Sequence, residues 1–387
     1  MELIKELPEV FEEFAEQRKN SFLAVKEAKE KGIPVVGSYC TYFPKELPMA
    51  IGAAAVSLCS MSGETIEVAE QDLPKNLCPL IKASYGFAKT DKCPYFYFSD
   101  LIVGETTCDG KKKAYEILGR DVPMHVMDMP QMKRPKDIEK WAEEIKDFKA
   151  VVEEFTGNEV TPEKLHAATV LLNKRRKALE RVFACRKADP APISGKDALL
   201  MMQIAFFDDP QRCTDMANAL ADELEKRIAD GVGVAPAGTK RILLAGTPMA
   251  IPNWKMHHLV ETSGAVVVCE ECCTGTRYFE HQVDETPTDT DGQIMALAQR
   301  YMKNNCACFT PNTGRIDDLL RLCEEYKVDG VIDVNLKFCT LYDTESRDVQ
   351  AALKDAGIPS LHIETDYDDH DAEQLRTRIG AFIEMLG

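Results

Sequence analysis

Several signatures are missing from this chain, and each absence removes a class of function. No G-x-x-x-x-G-K-[ST] phosphate loop occurs, so nucleotide hydrolysis of that type is not expected of this chain. A dinucleotide glycine fingerprint and a Ser-His-Asp signature are also lacking. No apolar run approaches the ~20 residues of a bilayer-spanning helix. Basic stripes are absent too: 47 basic residues against 64 acidic ones leave a net charge of -17, with the acids dispersed. That balance argues against nucleic acid as a partner. The first residues, MELIKELPEVFEEFAEQRKN, read as a charged amphipathic helix rather than a secretory leader, so the expected location is the cytoplasm, with no membrane partner.

What the chain does have is cysteine. Fourteen thiols in a cytosolic protein do not form a disulfide framework, because they stay reduced; they are core residues, metal ligands or nucleophiles. A structural zinc site would show two tight C-x2-C pairs, and only Cys269 and Cys272 have that spacing. A different arrangement stands out. Cys78 and Cys108 lie thirty positions apart, and Cys308 and Cys339 thirty-one, in two stretches of similar pattern.

At 387 residues, 45% hydrophobic, the chain is long enough for two or three compact units. Residues 1–131 alternate short apolar runs with helical stretches, the signature of a parallel sheet covered on both faces. The runs are expected at 31–40, 54–59, 95–108 and 122–130. Residues 132–238 carry helical spacing throughout, with Thr161 before Pro162 as a helix start and Gly157 and Gly231 as stops. Residues 239–387 return to strands and helices, with strands at 241–248, 265–273, a run ending at Cys339, and one at IPSLHIETDY. Taken in order, these match the first unit. The expected fold is α/β, with two Rossmann-like (flavodoxin-like) parallel-sheet domains related by an internal pseudo-repeat and joined by a helical insert.

Ligands of open α/β sheets gather outside the carboxyl ends of the strands. Cys40, Cys108, Cys273 and Cys339 are expected at such ends, and Cys78 and Cys308 in loops reaching the same edge. Facing across a cleft, three thiols from each domain would meet, and thiolate is the usual ligand of cluster iron. Two cubanes with three protein ligands each are one arithmetic solution. Cys269, Cys272 and Cys306 are close alternatives to their neighbours, and Cys93 is a further rival. Cys59, Cys185, Cys213 and Cys323 read as small core hydrophobes.

The segments GSYCTYFPKELPMAIGA, NLCPLIKASYGFAKTDKCPYFYFSDLIVGETTCDGKKK and IETDY resemble the 2-hydroxyacyl-CoA dehydratase and benzoyl-CoA reductase superfamily. Within it the chain is most similar to the single-chain branch of double-cubane cluster proteins. The resemblance implies that the shared cluster cysteines are Cys78, Cys108 and Cys339. The extra ligands of an [8Fe-9S] double cubane would be Cys40, Cys273 and Cys308. One departure is that the strand matching the Cys40 strand ends in Gly246-Thr247-Pro248, so Cys273 must supply the third ligand of the second half. The resemblance further implies a homodimer, a separate homodimeric activator ATPase with its own [4Fe-4S] cluster as electron donor, and a small unsaturated substrate. The alternatives are a dehydratase subunit with one [4Fe-4S] cluster, and a non-catalytic cluster-bearing electron carrier.

Proton chemistry beside such a cluster needs an acid. Glu364 and Asp366, closing the last strand, are the candidates, with pKa raised by burial and negative neighbours, and Tyr367 beside them. Their bland reading is a capping or ion-paired acid. His125, on the matching strand, is a candidate donor or a satisfied core histidine. His257 and His258 are expected on an exposed helix face; Lys111, Lys112 and Lys113 read as a solvated helix face, with the offsetting of cluster or partner charge as the alternative.

Overall fold

The computed structural model of the chain describes residues 25–250 and 252–387. The helix expected over the first twenty residues lies outside them. Two four-stranded sheets are present, and every strand pairing in both is parallel. The first contains β1 (Val35–Ser38), β2 (Ala54–Ser57), β3 (Leu101–Glu105) and β4 (Met124–Met127), in the order β2-β1-β3-β4. The second contains β5 (Lys240–Gly246), β6 (Ala265–Glu271), β7 (Gly330–Leu336) and β8 (Ser360–Thr365), in the order β6-β5-β7-β8. The two orders are the same pattern, and the repeat expected from the sequence is therefore present in the topology.

β1, β3, β5, β6 and β7 are buried along nearly their whole length, while β2, β4 and β8 have partly open positions. Continuous apolar runs without alternation follow from having both faces covered. In each sheet the chain leaves the first strand in one direction and returns to its other side. The point of reversal lies between β1 and β3, and again between β5 and β7, and there a crevice opens at the carboxyl ends. Cys40 follows β1, Cys108 follows β3, and Cys339 follows β7. β5 ends instead at Gly246. Its φ is +104°, and a Cβ there would come within 2.3 Å of the Val334 carbonyl oxygen, so glycine is required; two residues past the strand end, where Cys40 stands after β1, the chain has Pro248.

Between the sheets run four helices, Pro135–Thr156, Pro162–Cys185, Gly195–Phe207 and Pro210–Ala229. Thr161 caps the second by accepting the Lys164 N–H, and Gly157 ends the first in the left-handed region. The helix Thr290–Met302 also leaves the second sheet's sequence neighbourhood. With Pro135–Thr156 it covers the first sheet, so that Trp141, Phe148, Leu297 and Phe309 share one core with Val36 and Leu47.

One expected strand is partly helix. Residues 95–108 are not a single β-rich run: Pro94–Phe98 is a short helix, and β3 begins only at Leu101. Pro94 at the first helical position presets φ, and the Cys93 sulfur accepts the Phe96 N–H at 3.4 Å. The strand before Cys339 also stops early, at Leu336. No helix among the described residues is long and apolar enough to cross a membrane.

Candidate metal centre

Three thiols stand at helix N-termini. Cys78 is the N-cap of Pro79–Lys89, Cys108 of Asp109–Leu118 and Cys339 of Thr340–Asp355. At such positions backbone N–H groups and the helix dipole favour thiolate. The Cys108 sulfur accepts the Lys111 N–H at 3.4 Å. Cys78 and Cys339, one from each half of the chain, act on each other: Cys339 lowers the pKa of Cys78 against the effect of its burial, and Cys78 raises that of Cys339. Burial raises Cys108, opposed by the Lys111 charge, and Cys339 is among the groups it feels.

A second set lies alongside. Cys40, Cys273, Cys306 and Cys308 interact with one another. The neighbouring Cys308, despite burial, holds Cys306 well below the ordinary thiol range, helped by Arg277 and Tyr342. Cys306 in turn pushes Cys308 up, with burial acting the same way. Burial chiefly raises Cys40 and Cys273, with Lys111 opposing in the first case and Arg277 and a Thr41 hydrogen bond in the second. Cys339 feels Cys306, so the two sets adjoin. The loop carrying Cys306 and Cys308 is pinned to the first half of the chain. The Asn304 carbonyl accepts from Tyr42 Oη at 3.1 Å and Lys133 Nζ at 2.7 Å, and Thr310 N donates to the Gln131 carbonyl at 2.9 Å.

Two cations stand among these sulfurs. Lys111 Nζ donates to the Tyr39 carbonyl at 3.3 Å and, although burial opposes it, is held charged by Tyr115, Cys40, Cys59 and Cys108. Arg277 is anchored by Glu271 and Tyr342, and Glu271 also accepts from Arg315 at 3.2 Å. Lys111 thus departs from the exposed face expected of it, whereas Lys112 and Lys113 are exposed. Its place among the thiols matches the alternative reading of this lysine run, a charge set against theirs.

The remaining thiols sort by environment. Cys269 is buried in the core on β6, and Cys185, Cys213 and Cys323 are packing residues. Cys272 is buried against Thr274, sulfur to hydroxyl 3.2 Å. Cys59 differs from its reading as a plain core residue: it donates to the Tyr39 carbonyl at 2.8 Å, feels Cys273 and Lys111, and lines a cavity with Cys40 and Cys273.

The expected acids are placed apart from one another. Glu364 is exposed. Asp366 is ion-paired with Lys337, and although burial works the other way, that pair lowers its pKa, the reverse of the expected rise. Tyr367 does reach the thiols: its hydroxyl is buried and feels Cys78, Cys59 and Cys339. His125 stacks on Phe148 in the helix Pro135–Thr156, and its burial lowers its pKa. His257, expected to be exposed, is fully buried and lies 3.0 Å from Glu270; His258 is half-buried. An acid that sequence reasoning missed ends β3. Glu105 is fully buried, its carboxylate accepts no hydrogen bond from another described residue, and burial raises its pKa to about 8 with Lys111 opposing. The only signal was a charged residue closing an otherwise apolar strand.

Among the described residues, no three His, Cys, Asp or Glu side chains form a ready cage for a single metal ion. The donors are thiols alone, grouped in two adjoining sets at the facing edges of two sheets, with N–H groups and cations directed at them. This donor chemistry fits a soft, anionic, sulfur-rich group better than a hard ion.

Residues 40–386 match the family described as 2-hydroxyglutaryl-CoA dehydratase, D-component. The chain belongs to this family. The matched span begins at Cys40 and takes in both thiol sets of this dehydratase-family protein. Over its full length it is 44% identical to the putative dehydratase subunit YjiM of Escherichia coli, covering all of both chains. It is 23% identical to the (R)-phenyllactyl-CoA dehydratase beta subunit of Clostridium sporogenes, with 94% of each chain covered. A subunit of the benzoyl-CoA reductase of Thauera aromatica is 18% identical, again over 94% of each.

Proposed function

We propose that this chain is the iron–sulfur component of an ATP-dependent reductase, holding an [8Fe-9S] double cubane that a separate homodimeric [4Fe-4S] activator ATPase charges with electrons. Cys78, Cys108 and Cys339 would hold one cubane. Cys40, Cys273 and Cys308 would hold the other, with Cys306 as the rival to Cys308. The observation that carries this reading is the division of the thiols into two adjoining sets. When bound, the cluster supplies electrons of very low potential to a small unsaturated substrate.

The chain's own residues have definable parts in this reading. Lys111 and Arg277 offset the negative charge of the thiolates. Glu105 holds a proton on its carboxyl at neutral pH, beside Cys40 and Lys111. His125, packed on Phe148, and Glu364, facing solvent, are weaker candidates for proton delivery. Asp366 is tied to Lys337 and is a positioning group at most.

A second reading is a dehydratase subunit with one [4Fe-4S] cluster on Cys78, Cys108 and Cys339, eliminating water from a 2-hydroxyacyl-CoA. The names of its relatives, among them the (R)-phenyllactyl-CoA dehydratase beta subunit, favour it. The test is turnover of anaerobically purified protein with an activator ATPase, ATP and reductant. The first reading predicts ATP-dependent reduction of small unsaturated molecules by the homodimer alone. The second predicts water elimination from a 2-hydroxyacyl-CoA, and only with a second, different chain. Cluster reduction that proceeds equally without ATP contradicts both.

A further inference from the structure

Beside the second thiol set lies a cavity of about 100 Å³. On a scale where about 10–15 Å³ admits one water, this is room for a molecule of a few heavy atoms. Cys40, Cys59 and Cys273 form one wall. The charges on the others have a single sign: Lys45, Lys111, Arg175, Arg176 and Arg300 line the space, and no carboxylate does. All of these but Lys111 are at least nine-tenths buried.

Their partners leave the positive charge largely unanswered. Arg176 is paired with Glu46 at 2.7 Å, and Lys45 and Arg300 also feel that one carboxylate. Arg300 donates only to carbonyls, those of His281 at 3.0 Å, Tyr278 at 2.8 Å and Glu280 at 3.3 Å. Lys45 and Arg175 both donate to one neutral atom, Tyr278 Oη, at 3.1 and 3.0 Å, and Arg175 adds the Ala205 carbonyl at 3.2 Å. Arg175 Nε has no partner among the described residues. A further acid of this neighbourhood, Asp208, accepts from Arg212 at 3.0 Å.

Like charges gathered in a dry wall are costly unless something neutralises them. Burial and Arg175 already push Lys45 down, and burial with Arg176 brings Arg300 to about 10. An anion in the cavity would relieve both, and planar guanidinium groups suit a planar oxyanion.

We propose that this cavity is a binding site for a small planar anion, a carboxylate or inorganic oxyanion of a few heavy atoms, held by Lys45 and Arg175 beside the Cys40 and Cys273 thiols. As the pocket of a substrate it rests on the function proposed above; as an anion site it stands without it. The space admits acetate or nitrate.

The experiment is calorimetric titration of the full-length protein, purified anaerobically with its iron content recorded, with acetate, nitrate and the neutral isostere acetamide. Acetate and nitrate are expected to bind, and acetamide at least tenfold more weakly. Lys45→Met and Arg175→Met are each expected to weaken acetate at least tenfold, and Lys45→Arg to restore much of it. Lys113→Met, on an exposed helix face, is expected to change nothing. Equal binding of acetate and acetamide to the wild-type protein overturns the proposal, and so does no binding of either anion. Undiminished acetate binding by a folded Lys45→Met variant overturns it as well. The wild-type comparison decides the matter even if a variant fails to fold. Cys40 and Cys273 are shared with the proposed cubane, so wild type and variants are compared at equal iron content; a sample lacking iron counts against the cluster reading, and the acetate–acetamide comparison then decides the anion site on the iron-free protein.

Discussion

The thiols of Cys78 and Cys339 act on each other, the one lowered and the other raised, although one precedes a helix of the first half of the chain and the other a helix of the second. The two halves meet at sulfur. Any group held there is held by both, so removing one sulfur should release what the pair holds. Cys78→Ser and Cys339→Ser are each expected to lower bound iron by about four atoms per chain, one cubane's complement. Cys213→Ser, a packing change, should leave iron unchanged. Iron assay of anaerobically purified variants checks this.

Lys111 carries the positive charge nearest Cys40, Cys59 and Cys108. Removing it destabilises the more negative, reduced state of a cluster. Lys111→Met is expected to shift the reduction potential negative by tens of millivolts, where ~59 mV is a tenfold change for one electron. Lys111→Arg should return most of that shift, and an EPR-monitored redox titration measures both.

Glu105 gives the protein a pH dependence whose sign can be worked out. Its pKa in the folded protein, about 8, lies above the ordinary carboxylate value, so the folded state binds the extra proton. Stability from this group is therefore full below about pH 4.5 and is lost as pH rises toward 8. Glu105→Gln cannot ionise and lacks that loss. Its melting temperature relative to wild type is expected to rise steadily between pH 5 and pH 8, by an amount on the order of a few kcal/mol in stability. A constant difference across that range would remove Glu105 from the account.

Glu270 behaves in the opposite way. Although burial favours its neutral form, Arg186 at 2.6 and 2.8 Å and His257 at 3.0 Å hold its pKa at about 2. Its contribution is present above the ordinary carboxylate pKa and is lost as pH falls toward 2. Glu270→Gln leaves Arg186 buried without its carboxylate and is expected to cost about 3–5 kcal/mol at pH 7. Chemical denaturation of the variant measures the cost, and its difference from wild type should shrink in acid.

Much of this arrangement was legible in the chain itself. Apolar runs such as VVGS and GVIDVNL have no alternation and so announce strands covered on both faces, and their repeated order announces two like sheets. Cysteines at strand ends are readable because strand ends define the ligand crevice. Side-chain partners were not legible in the same way. Whether Asp366 is an isolated acid or half of an ion pair depends on Lys337, and His257 reads as exposed until Glu270 is seen beneath it. Lys111 and Glu105 belong to ordinary-looking stretches, and only the packing of β1, β3 and the Asp109–Leu118 helix brings them together. Cys306 and Cys308 lie far along the chain, yet Tyr42 and Lys133 tie their loop to the first half.

Iron and acid-labile sulfide content of the anaerobically purified protein tests the central claim most directly. About eight irons and nine sulfides per chain are expected, with an EPR signal on reduction. About four irons would replace the double cubane by a single cluster. A folded, colourless protein without iron would contradict the account altogether.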